Sequence, residues 1–238
     1  MIRDPALATV VHAAFEYAGI AAGVATYRRQ AAEQGGLTDH GRFAVLVGLL
    51  MGAALGNKLA FLAERPEVLQ DWMQGRLAWP GQSIVGGLLG GLVGVEVAKR
   101  LTHQARSTGD AMVWPIALGI AIGRLGCFVA GLHDDTYGNA TSLPWGVDFG
   151  DGVPRHPTQF YDAAVVLLLA AAVHGRFARV PGLAFKFFLA GYLLWRLGVD
   201  GIKPTPHAYA GALSGIQLLC ALALLAYAPI VWRAWRQR

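Results

Sequence analysis

Apolar residues run along this chain in blocks of about 20, not in the short alternating runs of half-buried strands or the stripes of amphipathic surface helices. Seven such blocks stand out, at residues 7–27, 41–63, 81–98, 111–132, 157–175, 181–199 and 208–232. Each is near the roughly 20 apolar residues that an α-helix needs to cross a bilayer. The pattern predicts an all-α, polytopic membrane bundle of about seven transmembrane helices. Seven spans take up most of the 238 residues, so 1–238 reads as a single transmembrane domain with one external polar loop at about 133–156. The first block lacks the basic flank and small-residue cleavage site of a signal peptide.

Composition agrees with that pattern. Hydrophobic residues make up 55% of the chain and charged residues 15%, against the roughly 25% charged of soluble domains. The polar intervals also carry direction, because Lys and Arg are retained on the cytoplasmic side during insertion. One alternate set of connections holds eleven: Arg28, Arg29, Arg42, Lys99, Arg100, Arg106, Arg176, Arg179, Arg233, Arg236 and Arg238. The other set holds five, Arg3, Arg65, Arg76, Arg155 and Lys203. The expected orientation has the N-terminus outside and the C-terminus in the cytoplasm. The formal net charge of +5 is then mostly a topology signal, with no indication of nucleic-acid binding.

Ionisable residues inside the blocks cost at least ~2.5–3.5 kcal/mol each on insertion scales and generally face a bundle interior or a wet cavity. Here they are Glu16, Lys58, Glu96, Arg124, Asp162, Lys186 and Arg196. Lys186 lies close enough to a cytoplasmic end to snorkel, and Glu96 is spaced to pair with Lys99 or Arg100. Arg124 lies deep in the fourth block, too far from either surface to reach it cheaply. Arg196, with Asp200 one turn on, forms a local pair or joins Arg124 at a cavity. Two arginines at one cavity suit an anion, and the abundant anion in a membrane is a phospholipid phosphate. The stripe GGLLGGLVG, Gly86 to Gly94, suits close helix packing. Ahead of it, after a Pro80-Gly81 turn, Ser83 either caps a helix or, with Gln82, helps to hold a headgroup. Cys127 and Cys220 sit in different apolar blocks, a pattern of small core residues and of neither a disulfide framework nor a metal site. No metal or cofactor is indicated.

The loop from His133 to His156 carries Asp134, Asp135, Asp148 and Asp151 together with turn residues. Solvated loop aspartates are a commoner arrangement than a cation site. Its end, RHPTQFYDA, is denser: Arg155, His156, Gln159, Tyr161 and Asp162 fall within eight residues where the loop enters a span. With Pro157 at the helix start, Gln159 and Asp162 share the face aimed at the outer mouth of the bundle.

Three words of sequence here, GRLGCF with a later Tyr137-Gly138, LPWGVDF and RHPTQFYDA, resemble the prolipoprotein diacylglyceryl transferases of bacterial inner membranes. Those proteins show GRxGNFxNGExxG, LPWGxxF and RHPxQLYEA in that order. Weaker echoes lie at Gly52 to Leu55, Ser83 to Gly87, Glu16-Tyr17 and Tyr192 to Pro204. The resemblance implies a multi-pass inner-membrane enzyme without cofactors. It would take the diacylglyceryl group of phosphatidylglycerol, an anionic phospholipid, and attach it through a thioether to the lipobox cysteine of a secreted preprotein. By position, Arg124 would bind the leaving phosphate, Gly138 is the motif's closing glycine, Asp135 stands for its glutamate, Tyr17 for the tyrosine of the first span and Lys203 for a second arginine. The departures are Val85 where the family has a histidine, Cys127 and Ala130 where it has asparagines, and the longer GLHDDTYG. They imply that His133 or His156 has taken over as base, or that the acceptor differs. Three functions stay open: that transferase, a relative with the same donor site and another acceptor, and a non-enzymatic lipid-binding or transport protein.

Overall fold

The computed structural model describes residues 2, 4–34, 39–76, 81–177, 180–209, 211 and 213–237. Arg3, Arg179 and Arg238 of the charge count and Pro80 of the expected turn lie outside these residues. The described residues form the helices α1 (Pro5–Gln34), α2 (Asp39–Glu64), α3 (Glu67–Met73), α4 (Ile84–Leu101), α5 (Val113–Ala130), α6 (Thr158–Phe177), α7 (Leu183–Val199) and α8 (Gly215–Arg236). Two short antiparallel ladders join them, β1 (Val147–Asp148) with β2 (Pro154–Arg155), and β3 (Ala208–Tyr209) with β4 (Leu213–Ser214).

Five of the seven expected spans are helical stretches long and apolar enough to cross a membrane: Pro5–Gln30, His40–Glu64, Asp110–Asp134, Thr158–Phe177 and Gly215–Arg236. The other two blocks are helical but weaker. α4 carries Glu96, Lys99 and Arg100 within its 18 residues, and α7 has 17 residues, about 25 Å at 1.5 Å per residue against a ~30 Å hydrocarbon core. Large apolar side chains cover the outside of the long helices: Leu7, Leu46, Leu50, Met51 and Leu225 are each more than half exposed. So much exposed apolar surface is foreign to a soluble monomer and fits helices bathed in lipid.

The chain divides into two compact units. The first comprises Met1–Gln34, Thr108–Pro204 and Ala228–Arg238. In it α1 lies along α5, α5 along α6 and α6 along α7. Its core is made by Val166, Ala170, Phe188, Leu189, Tyr192 and Leu193, all fully buried. The carboxylate of Asp110 accepts the backbone N–H groups of Gly182 and Phe185, fixing the entry of α7. α5 ends where Gly131 takes a φ of 70°, a left-handed exit that favours glycine.

The second unit comprises Gly35–Ser107 and Thr205–Tyr227. Here α2 packs along α4, and the contact is backbone against backbone. A Cβ on Gly86, Gly90 or Gly94 of α4 would run into the carbonyl oxygen of Gly56, Gly52 or Gly48 of α2, and the reverse holds for each partner. The expected stripe on α4 therefore meets a second stripe of the same spacing on α2. Such small-residue faces let helices associate by close packing where lipid supplies no hydrophobic drive. Ser83 is the N-cap of α4, its hydroxyl accepting from the Gly86 N–H at 3.3 Å. Lys58 donates to the Gly81 carbonyl at 3.0 Å and Asn57 accepts from the Ser83 N–H at 3.1 Å.

Candidate functional site

The first unit concentrates charge where its helices are least accessible. Asp162, in the first turns of α6, is fully buried, and four donors converge on its carboxylate. Arg124 of α5 reaches Oδ2 at 2.9 Å, Arg196 of α7 reaches the same oxygen at 3.2 Å and Lys203 reaches it at 3.4 Å. The indole N–H of Trp195 donates to Oδ1 at 2.8 Å. Arg196 also holds Asp200 at 2.6 Å, so its expected local pair forms while it also meets Arg124 across Asp162.

Three cations, Arg124, Arg196 and Lys203, face two carboxylates, Asp162 and Asp200, which leaves one formal positive charge. Among the described residues, the Nε atoms of both arginines and the Gln159 Oε1 are buried without a hydrogen-bond partner. Buried polar groups of this kind, the two arginine donors and the amide acceptor, are costly unless something pairs with them. Lys203, beyond the end of α7, has its pKa lowered to about 7 by burial and then by the neighbouring Arg196 and Arg124. It is thus poised to gain or lose its proton near neutrality. Chemically, an arrangement with excess cationic donors can bind an anion, and Asp162 holds the cations in place.

A second cluster adjoins the first through Arg124. Its Nη1 lies 3.9 Å from the Cys127 sulfur, one helical turn along α5. That sulfur is 3.6 Å from Nε2 of His12 on α1, and Nδ1 of His12 is 2.9 Å from Oδ1 of Asp134. The Thr136 hydroxyl donates to the other Asp134 oxygen, Glu16 lies 3.7 Å from His12 Nε2, and the Gln159 amide donates to the Thr136 hydroxyl at 3.4 Å. Hydropathy alone does not single out His12. The available signal was its i, i+4 spacing to Glu16 on an otherwise apolar helix; the Asp134 and Cys127 contacts span more than a hundred residues and carry no local pattern.

The remaining expected site residues are placed elsewhere. His133 is exposed on a short 3-10 turn, and Tyr17 is 73% exposed on α1. Asp135, in a left-handed conformation at φ 54°, hydrogen-bonds Tyr137. His156 Nδ1 lies 3.5 Å from the Tyr161 hydroxyl, which also accepts from the Trp145 indole at 2.7 Å. Gly138 is a close-approach point: a Cβ there would meet His156, Thr158 and the Ile202 carbonyl within 3 Å. Its N–H donates to the His156 carbonyl, while Asn139 N–H donates to Ile202. This glycine thereby docks the loop against the start of α6 and the segment after α7, where Asp162 and Lys203 sit. Ser83 and the fully buried Val85 belong to the second unit, Ser83 as a helix cap.

Among the described residues the four loop aspartates do not converge on one cation site: Asp134 stands with His12 and Cys127, their ligand atoms within 4.8 Å of one another, and the others have local partners. Asp148 accepts three backbone N–H groups, from Gly150, Asp151 and Gly152, which hold its pKa below the usual range. Asp151 makes a two-point pair with Arg155, both contacts at 2.7 Å, which brings it down to about 2. Arg155 also lies over the Tyr137 ring, 5.0 Å from its centroid. It stiffens the β1–β2 hairpin in place of joining the buried cations.

Comparison with known proteins fits this arrangement. The family model described as prolipoprotein diacylglyceryl transferase matches residues 5–233. The chain is 34% identical over 228 residues to the phosphatidylglycerol–prolipoprotein diacylglyceryl transferase of Geobacter sulfurreducens, covering 89% of this chain and 86% of that protein. It is 32% identical over 213 residues to the protein of that name from Cupriavidus necator, covering 81% and 73%. To the one from Clostridium tetani it is 28% identical over 223 residues, covering 87% and 86%. With its long apolar helices and its buried arginines set along this match, the chain belongs to the prolipoprotein diacylglyceryl transferase family.

Proposed function

We propose that the protein transfers the diacylglyceryl group of phosphatidylglycerol to the lipobox cysteine thiol of a secreted preprotein, at the outer face of a bacterial inner membrane. The carrying observation is the buried cluster in which Arg124, Arg196 and Lys203 outnumber Asp162 and Asp200 and, among the described residues, two guanidinium Nε atoms lack acceptors. A phosphodiester satisfies both needs. The thiol sulfur displaces glycerol phosphate from a glycerol carbon, and charge builds on the departing oxygens. Preorganised cations in a water-poor site act on that developing charge, which is where electrostatic stabilisation counts most. Arg124 offers the planar fork suited to phosphate, and Lys203 a point charge.

In this reading α4 and α7 also cross the membrane, giving seven spans with the N-terminus outside and the C-terminus in the cytoplasm. The cluster then lies toward the outer leaflet, where the start of α6 and the end of α7 meet the loop at 133–156. Gly138, Gln159 and Tyr161 shape its approach. The family match carries the acceptor; Val85 in place of the family histidine is the observation that favours the second reading, a different acceptor on the same donor site.

The test is transfer from phosphatidylglycerol to a lipobox peptide by membranes containing the protein, read by mass. We expect Arg124→Ala to lower the rate by about 10²-fold or more, the scale of losing one charge-stabilising donor. Consumption of phosphatidylglycerol with no modified peptide would establish the second reading, and an unchanged rate in Arg124→Ala would remove Arg124 from the chemistry.

A further inference from the structure

The thiol that His12 faces is the chain's own. Asp134, an acceptor when ionised, lies against Nδ1 of the ring at 2.9 Å, so in the neutral ring the proton sits on Nδ1 and the Nε2 lone pair faces Cys127 Sγ, 3.6 Å away. A base within reach of a nucleophile, held in one tautomer by a third group, is the arrangement that activates serine and cysteine nucleophiles on unrelated folds. The order Asp134–His12–Cys127 also argues against a shared ion. The ring addresses the carboxylate and the sulfur through different nitrogens, whereas ligation would turn one nitrogen to the space between them. Arg124 adds a guanidinium nitrogen 3.9 Å from the sulfur, a cation beside any negative charge formed there. Cys127 is buried, with 7% of its surface exposed, while the His12 side chain keeps 27%.

We propose that Asp134, His12 and Cys127 form a second catalytic centre, in which Cys127 takes an acyl chain from a glycerophospholipid ester. The lipid class rests on the donor-site reading above, since Arg124 would hold the phosphate beside the sulfur. A phospholipid offers a thiol two electrophiles, the glycerol carbon bearing phosphate and the ester carbonyl. Attack at the first would leave Cys127 as a thioether, which does not turn over. Attack at the second turns over. The Cys127 S–H proton passes to His12 Nε2, the sulfur bonds to the carbonyl carbon, and the carbon–oxygen bond to glycerol breaks. The glycerol oxygen takes the proton from His12 and leaves as a lysophospholipid. A hydroxyl, water included, then attacks the thioester while His12 accepts its proton, and the acyl product departs as Cys127 recovers the thiol. No oxidant or reductant is needed.

The experiment incubates the full-length protein in membranes with phosphatidylglycerol bearing isotopically labelled acyl chains, followed by acid quench. The peptide containing Cys127 is weighed before and after neutral hydroxylamine, and lysophosphatidylglycerol is measured in parallel. We expect one acyl chain on wild-type Cys127, released by hydroxylamine. Lysophosphatidylglycerol should fall to background in Cys127→Ala and at least tenfold in His12→Gln and Asp134→Asn. The proposal is overturned if wild-type protein yields neither adduct nor lysophospholipid, if the adduct is a hydroxylamine-resistant diacylglyceryl group, or if His12→Gln reacts at the wild-type rate. One zinc ion bound per chain and lost in Cys127→Ala would overturn it as well. The wild-type adduct is read without any variant having to fold. Lipobox-peptide transfer measured on the same membranes shows separately whether the donor-site reading stands.

Discussion

The two units hold their helices together by opposite means. In one, α2 and α4 touch through glycines, with carbonyl oxygens where side chains would otherwise be. In the other, α5, α6 and α7 converge on a buried carboxylate with three cations around it. Glycine packing depends on nothing but volume, and a lost contact there is a steric collision. Charge packing depends on every partner being present, because removing one strands the rest in a medium that solvates them poorly. A site meant to bind a charged ligand is better built by the second means, since its donors are already dehydrated and aimed.

The largest effect should come from filling the glycine seam. Gly90→Leu places a side chain against the Gly52 carbonyl oxygen, and we expect no folded protein on detergent extraction, read by size-exclusion elution. Gly90→Ala should cost about 1–3 kcal/mol, the usual range for overpacking. Next comes Asp162→Asn, which strands Arg124, Arg196 and Lys203. The expected loss is about 3–5 kcal/mol, seen as a lowered thermal midpoint in detergent; a midpoint equal to wild type would show that the cations are solvated.

A smaller, pH-dependent effect belongs to Lys203, whose pKa is near 7 because burial and two arginines oppose its charge. As pH rises from 6 to 8 it loses its proton and the site loses a positive charge. The apparent KM for phosphatidylglycerol should therefore rise by about tenfold, the scale of one charge-assisted contact. Lys203→Arg, always charged, should flatten that rise, and an equal rise in the variant would assign it to another group. The smallest change is Ser83→Ala, which removes the α4 cap at about 0.5–2 kcal/mol. If Ser83 is only a cap, kcat and KM stay at wild type; a raised KM would return it to the headgroup site.

Periodicity made the helices and several residues of the buried charge cluster legible in sequence. Arg124 and Asp162 are conspicuous because a charge in an apolar block has few innocent explanations, and Lys186 and Glu96 behave as their positions suggest, donating to Gly182 and pairing with Lys99. The α2 glycines at 48, 52 and 56 carry the same spacing as the α4 stripe but lack its doubled Gly86-Gly87 and Gly90-Gly91 pairs, so the α4 stripe stands out in the sequence and its mate does not. His12 was hidden for a different reason. It becomes informative only beside Asp134 and Cys127, and that proximity exists only once α1 has folded along α5. Arg155 shows the converse: its motif is dense, but a neighbouring aspartate four residues away engages it first.

The glycine seam has a consequence for register. Three glycines four residues apart on each helix make a ladder with nearly equal rungs, so α2 displaced by one turn, about 5.4 Å along its axis, would still align two of the three pairs. Backbone packing alone therefore specifies closeness well and position poorly. Position is supplied at one end, where Lys58 grips the Gly81 carbonyl and Asn57 the Ser83 N–H. A one-turn slip would break both contacts at once. Two polar side chains thus act as the detent of an otherwise smooth slide, and the seam's freedom to move is set by them and not by the glycines.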